Sequence, residues 1–405
     1  MKISLNSPEI ISNPYPMYSW LRENEPVYYS KESKMWLVSR YQDAQSVLGD
    51  DQNFVMYRAR KKKRIFATMA KEENSFKNRE VFANAYIPRH VRILEKKMSD
   101  IAEKLISKFL PLGSFDVIED IGRPFTQLIA MELLGMGAEF AGEFEKMHHA
   151  LFNVLVRDDP KTNYLFGQGL MFKTKKTFSR TLNIVKLLLG YRKFSRYLSK
   201  KMDMEPQKTG EDSLIKTLLS AREDRGTYGK NEIFRFVLTV ALVAMETTPA
   251  LIGNIWLILM QNPDLLNKIK SNLDLIPGMI EEILRYDPPG QMDIRFSLKE
   301  VTIGNSVISA GQKVAPLIGS ANRDPRKFSN PDAVDIERDP NHHLTFGWGR
   351  SYCPGAPIAR AEAVILTRKM MEMIKDLHGD FDSMERSSYP LHLTRGLKHF
   401  RLYVK

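Results

Sequence analysis

The sequence predicts a mainly α-helical fold with small β-sheets, built as one large domain over residues 1–405. Three observations carry that prediction. Apolar residues recur at helical spacing over long stretches, as in Ile93, Met98, Ile101, Leu105, Ile106 and Phe109. Segments that alternate with the two-residue period of a strand are short, and gather near the start of the chain and after Arg295. No Pro/Gly/Ser-rich or low-complexity linker parts the chain into the two or three domains that its length alone would suggest. Hydrophobic content of 43% beside 27% charged residues is that of an ordinary globular protein, which excludes a disordered chain and leaves ample material for a core.

Taken in order, Asn13-Pro-Tyr-Pro-Met-Tyr-Ser-Trp-Leu-Arg22 reads as a turn feeding a short helix, and Pro26–Tyr29 with Met35–Ser39 as a β-hairpin. From about Pro88 to Met136 the periodic apolar residues, continuing through Phe125, Ile129, Leu133 and Leu134, make packing helices. Phe140 to Met202 is helical, rich in Phe, Tyr, Met and Lys, and holds no motif of evident chemistry. The longest apolar helix is Asn231 to Gln261. Within it Val237–Met260 has 24 residues and a single charge, Glu246, which is long enough to span a bilayer. Yet both flanks mix charges of both signs, no second span accompanies it, and a mid-helix Glu followed by Thr-Thr-Pro is costly in lipid. The prediction is a helix through the core of a large soluble domain. After Arg295, Val301–Ile303, Val307–Ile308 and Val314–Leu317 are small strands set apart by Gly304 and Gly311. A helix and a hairpin around Thr394-Arg-Gly396 close the chain.

A formal charge of +12 invites a nucleic-acid reading, but lysines and arginines are scattered along the chain. The one dense run, Arg58-Ala-Arg-Lys-Lys-Lys-Arg64, comes with no nucleic-acid-binding motif. It reads first as a solvated loop, and otherwise as attraction for an acidic substrate or partner. One cysteine excludes an internal disulfide, and the first thirty residues hold no apolar signal-peptide core, so cytoplasm is the expected compartment.

That cysteine, Cys353, lies in Phe346-Gly-Trp-Gly-Arg-Ser-Tyr-Cys-Pro-Gly355, a glycine-rich loop running straight into the helix-forming stretch Ala356–Ala363. Glycines there allow close backbone approach and positive φ, and a helix start just past the sulfur, with Arg350 nearby, favours thiolate, the metal-binding form. Against this, a lone cysteine is more often an inert buried hydrophobe. On the central helix Ala244-Met-Glu-Thr-Thr-Pro249 sets a carboxylate and two hydroxyls beside a proline whose missing N–H leaves the Met245 carbonyl without its helical partner. An ordinary buried kink and a working site fit that pattern equally. Glu282 and Arg285 stand at i and i+3 near the end of a helix stopped by Asp287-Pro-Pro289, a spacing that usually gives only a surface ion pair.

The order Phe, two residues, Gly, three residues, Cys, one residue, Gly resembles the haem-binding loop of cytochrome P450. The other motifs follow in the family's order, Ala321-Asn-Arg-Asp-Pro325 included, so the chain is similar to soluble bacterial members from Asn13 to the final hairpin. The resemblance implies haem b, with Cys353 as axial thiolate and Phe346, Gly355 and Ala244 around the cofactor. It implies that Glu246 and Thr247, 107 residues before the cysteine in the case of Glu246, are an acid–alcohol pair that relays protons in dioxygen activation. Glu282, Arg285 and Arg338 become a buried structural set that holds the cysteine loop. Arg295, His343 and Arg79 become the anchors of the haem propionates. Two positions depart from the pattern: Ser75 stands where the histidine of His-x-x-x-Arg is expected, and Ser351 stands where a His or Arg is expected. Each keeps a donor and lacks a charge. Val243-Ala244 in place of Ala-Gly is a milder departure.

The function so implied is monooxygenation of a small or medium-sized organic substrate in natural-product (secondary) metabolism. Electrons would come from a ferredoxin or flavodoxin, and the enzyme would be a monomer with no nucleic-acid or membrane partner. The alternatives are oxidative cross-linking or a peroxide-driven reaction and, from another class, a haem-poor binding or scaffold protein, which the two serines favour and intact Cys353 opposes. Expected pocket segments are the loop from Tyr57 to Phe66, the middle of the 140–202 stretch, Val240, Ala244, Met292–Ile294 and Leu393–Leu397.

Overall fold

The computed structural model describes residues 3–56, 88–147, 178–204, 214–225, 230–387 and 394–404. By backbone proximity the chain groups into two units, one of Met1–Arg58, Met98–Pro124 and Glu246–Lys405, the other of Ala59–Lys97 and Phe125–Met245.

In the first unit the expected N-terminal hairpin forms, with β1 (Val27–Ser30) antiparallel to β2 (Met35–Val38) and Val27 opposite Val38. Successive side chains of β2 point to opposite faces and both faces are covered: Leu37 is wholly enclosed with Tyr18 and Leu21 of the helix Tyr15–Asn24, and Val38 in a second cluster with Val47 and Phe54. Each such side chain contributes about 1.5–3 kcal/mol on burial. The hairpin continues into a five-stranded sheet in the order β1-β2-β8-β5-β3, where β3 is Phe54–Val55, β5 Arg295–Ser297 and β8 Lys313–Pro316. Among the described residues only β2 and β8 pair in parallel. β6 (Val301–Ile303) and β7 (Ser306–Ile308) make the small ribbon read from the sequence, turned at Gly304 with φ +55°, where a side chain would be strained. The final hairpin also forms, from β9 (Leu377–Arg386) and β10 (Leu397–Val404).

Two short strands, β3 and β4 (Ser114–Asp116), carried no signal in the sequence. β4 pairs with β10, placing Phe115 opposite Leu402. Three residues with a single apolar side chain show no period, so their conformation comes from the partner strand.

The central helix runs 32 residues, Lys230–Gln261, and continues through Pro249. Its most apolar window, Val243–Gln261, is long and apolar enough to cross a membrane and is 83% buried within the protein, as the core helix of a globular domain is. From Glu246 onward it belongs to the first unit.

The second unit is cored by aromatic rings. Phe140 stacks on Tyr197 at 4.5 Å, and Phe194 meets Phe144 at 5.6 Å and Phe234 at 5.5 Å. The Phe-rich composition of the 140–202 stretch is therefore packing material, at least over its described residues.

Candidate active site

The cysteine loop is shaped by its glycines. Gly347 and Gly349 take φ of +79° and +62°, and a Cβ on Gly347 would lie 3.0 Å from the Ser351 carbonyl oxygen. The chain turns back tightly enough for the Cys353 N–H to donate to the Phe346 carbonyl at 2.7 Å. An 18-residue helix, Ala356–Met373, begins three residues past the cysteine with Pro357 in its first turn. A Cβ on Gly355 would sit 3.8 Å from the sulfur, an ordinary van der Waals contact. The Phe346 ring is capped by the Arg360 guanidinium at 4.5 Å. Arg350, in the same loop, pairs with Asp51 at 3.1 Å, with its side chain 70% exposed. Ser351 is half-buried in the short turn Gly349–Ser351.

Beneath this loop the Glu282 carboxylate is fully enclosed and saturated. It accepts from Arg285 Nη2 at 2.7 Å and Nε at 2.8 Å, from Arg338 Nε at 3.2 Å, from the Asp335 N–H at 2.8 Å and from Asn341 Nδ2 at 3.1 Å. Arg285 also donates to the carbonyls of Asn322, Pro331 and Ala333. The i, i+3 pair is thus a buried clamp, and Arg338 joins it. Glu281, one residue earlier, reaches the loop itself through Arg360, at 2.6 and 2.9 Å, and through His343 Nε2 at 3.2 Å. Burial alone would raise its pKa, but Arg360 and then His343 bring it down to about 2. His343 is therefore occupied at both ring nitrogens, since its Nδ1 accepts from the Thr345 N–H at 3.3 Å. The propionate role foreseen for it has to compete with those partners.

On the central helix Glu246 is 6% exposed, with Arg123 Nη1 3.3 Å from its Oε1. Burial outweighs the arginine and pushes the carboxyl up to about 7. Thr247 and Ala244 are half-buried, Ala244 falling in the other unit. Thr248, next in line, donates its hydroxyl to Glu362 on the helix after the cysteine loop. Burial raises Glu362 to about 8 against that hydrogen bond. Glu362 was missed in the sequence, although it stands on the apolar face of its helix with Ile358 and Leu366, where a carboxylate needs a reason. The folded state holds a proton that the unfolded chain releases near 4.5, so stability falls as pH rises from about 4.5 to about 8. Glu362→Gln is expected to flatten that slope, by a few kcal/mol across the window, in denaturant titrations at pH about 5 and about 8. An unchanged slope would mean that the carboxyl ionises freely.

Arg295 tests whether a haem fits. It is 2% exposed, with Nη2 2.8 Å from Asp293 Oδ2 as an ion pair, and neither Nη1 nor Nη2 has a hydrogen-bond partner among the described residues. A buried guanidinium N–H without an acceptor costs free energy, and the carboxylate of a propionate is the kind of group that would satisfy it. With a thiol at a helix start, the residues present fit the cofactor. Arg79 and Ser75 lie outside the described residues, as do Tyr57 to Phe66, residues 148–177 and Leu393. Val240 and Met292 are buried, while Asp293 and Ile294 are half-buried.

Comparison with known proteins agrees with this geometry. The family model for cytochrome P450 matches residues 16–373. The cytochrome P450 monooxygenase PikC of Streptomyces venezuelae is 29% identical over 404 residues, with 96% of this chain and 91% of PikC covered. The polyketide biosynthesis cytochrome P450 PksS of Bacillus subtilis is 26% identical over 391 residues, covering 91% of this chain and 90% of PksS. Among solved structures, P450BioI in complex with an acyl carrier protein ligated to hexadec-9Z-enoic acid superposes with a TM-score of 0.82 at 25% identity, covering 98% of this chain and all of that one.

Proposed function

The chain belongs to the cytochrome P450 family, and from that premise we propose that it is a haem b monooxygenase of bacterial secondary metabolism, acting on a small or medium-sized organic substrate with dioxygen and electrons from a ferredoxin or flavodoxin. Haem bound through Cys353 would supply the one-electron and dioxygen chemistry. The observation that carries the reading is a buried acid next to an alcohol, Glu246 and Thr247, in a protein whose Cys353 stands at a helix start. Glu246 keeps its proton up to about pH 7, so it can give one up and take one back near neutrality. Arg123 steadies the ionised form at 3.3 Å between those events. Arg295 would hold a propionate, with Ser351 a neutral donor where the family has a charged one. The family match crosses both backbone units, which supports treating them as one domain. Burial of the central helix supports a cytosolic location. PksS, by its name, acts in polyketide biosynthesis, which favours a molecule of that size as substrate.

With a substrate and a ferredoxin–reductase pair, Thr247→Ala is expected to keep consuming electrons while product formation falls by about 10²-fold and hydrogen peroxide appears instead. Unchanged coupling would remove Thr247 from proton delivery and favour the peroxide-driven or cross-linking reading. Arg295→Ala should lose haem faster to excess apo-myoglobin, by one to two decades, for a charge-assisted hydrogen bond of roughly 1.5–3 kcal/mol. A rate equal to wild type would place the propionates elsewhere.

A further inference from the structure

Away from the cysteine loop, four arginines from separate parts of the chain line one cavity of about 560 Å³: Arg22, Arg323, Arg386 and Arg395. Two carboxylates, Asp287 and Asp332, line it with them, so the walls carry two positive charges in excess. Some of this cationic surface is engaged. Arg395 donates from Nε to Asp287 Oδ1 at 2.9 Å and from Nη1 to the carbonyls of Ile11 and Ser12. Arg323 donates to the Tyr286 carbonyl at 2.8 Å and to Asp332 at 3.1 Å, and lies 3.5 and 3.6 Å from the ring centroids of Tyr15 and Tyr286.

The remainder is not. Arg22, 4% exposed, gives Nη1 to Ser320 and leaves Nε without a hydrogen-bond partner among the described residues. Arg386 Nη1 is likewise buried without a hydrogen-bond partner among the described residues, and lies 3.9 Å from Asp287 Oδ2. Burial first, then the repulsion of Arg395, lowers the pKa of Arg386, so its charge is poorly compensated as it stands. Two buried guanidinium N–H groups without acceptors are what a protein tolerates when something else supplies the acceptor.

We propose that this cavity is an anion-binding site that takes a phosphate group, free or at the end of a small phosphomonoester. A phosphomonoester carries nearly two negative charges at neutral pH, which matches the excess on the walls, whereas a single carboxylate would leave one charge uncompensated. The guanidinium fork suits phosphate oxygens, and Arg386, which lacks a close carboxylate partner, is the lining arginine that a phosphate would pair. The cavity lies within the size range of small-molecule sites and is larger than a bare oxyanion needs, and Leu257 and Ile258 provide an apolar wall for the rest of an ester.

The test uses the full-length, haem-loaded protein, with calorimetric titration and thermal unfolding at matched ionic strength in inorganic phosphate, glycerol 3-phosphate or chloride. Saturable binding of one equivalent and a midpoint raised by a few degrees are expected for at least one phosphate probe and not for chloride. Tighter binding of glycerol 3-phosphate identifies an ester as the natural form, and tighter binding of inorganic phosphate identifies the free ion. Arg386→Gln should weaken binding at least about tenfold while leaving the visible spectrum unchanged. If that variant does not fold, Arg386→Lys, which keeps the charge and loses the fork, is expected to show the same weakening. An equal effect of chloride, or phosphate binding undiminished in the folded variant, overturns the site.

Discussion

Replacing Cys353 with alanine is expected to leave a folded protein that no longer gives the strongly red-shifted Soret band of thiolate ligation when reduced under carbon monoxide. The loop does not depend on the sulfur for its shape. Its turn is set by Gly347 and Gly349 and closed by the hydrogen bond from the Cys353 N–H to the Phe346 carbonyl, and both survive in alanine. Removing one half-buried sulfur therefore changes packing little, while it removes the only thiol of the chain. The expected loss is of the whole band and of all turnover, with far-ultraviolet circular dichroism unchanged. A variant that still shows the red-shifted band would exclude Cys353 as the ligand. A variant that unfolds would show instead that the sulfur is a packing element, the bland reading of a lone cysteine.

The second large effect belongs to Glu282. Alanine there would leave the guanidinium of Arg285, itself fully buried, and that of Arg338 facing a void where five hydrogen-bond donors now converge. Breaking a buried pair from one side typically costs about 3–5 kcal/mol, because the remaining charge is neither solvated nor paired. For a chain of this length, with an unfolding entropy of about 2.1 cal/mol/K per residue, that is a fall of roughly 5 °C in the unfolding midpoint. Glu282→Gln keeps the shape and one acceptor and should cost less. Since Asp335, Arg338 and Asn341 lie just before the cysteine loop, haem retention should fall together with stability. An alanine variant that unfolds within about a degree of wild type would return this set to the status of an ordinary ion pair.

What the sequence determined by itself is what local chemistry encodes. Two-residue alternation marked β1, β2 and the strands after Arg295, and helical spacing marked the central helix. Glycines that must take positive φ marked the turns at Gly304 and in the cysteine loop. Cys353, Glu246 and the Glu282–Arg285 pair stood out through the resemblance of their motifs to those of cytochrome P450, since by residue type and spacing alone each also fits an ordinary structural role. The tertiary structure decided what faces what. Periodicity says which side of Ala356–Met373 is buried, but not that Glu362 there meets Thr248 of the central helix. Nor does it say that His343 is held by Glu281, that Arg350 pairs with Asp51, or that Ser-Phe-Asp becomes a strand because β10 lies beside it. The arginine cavity is the fullest case, since residues near both ends of the chain converge there with Asp287 and Asp332. A charge is legible in a sequence, but its solvation is not. Whether an arginine is paired, exposed or short of an acceptor depends on which distant segments the fold brings within hydrogen-bond reach.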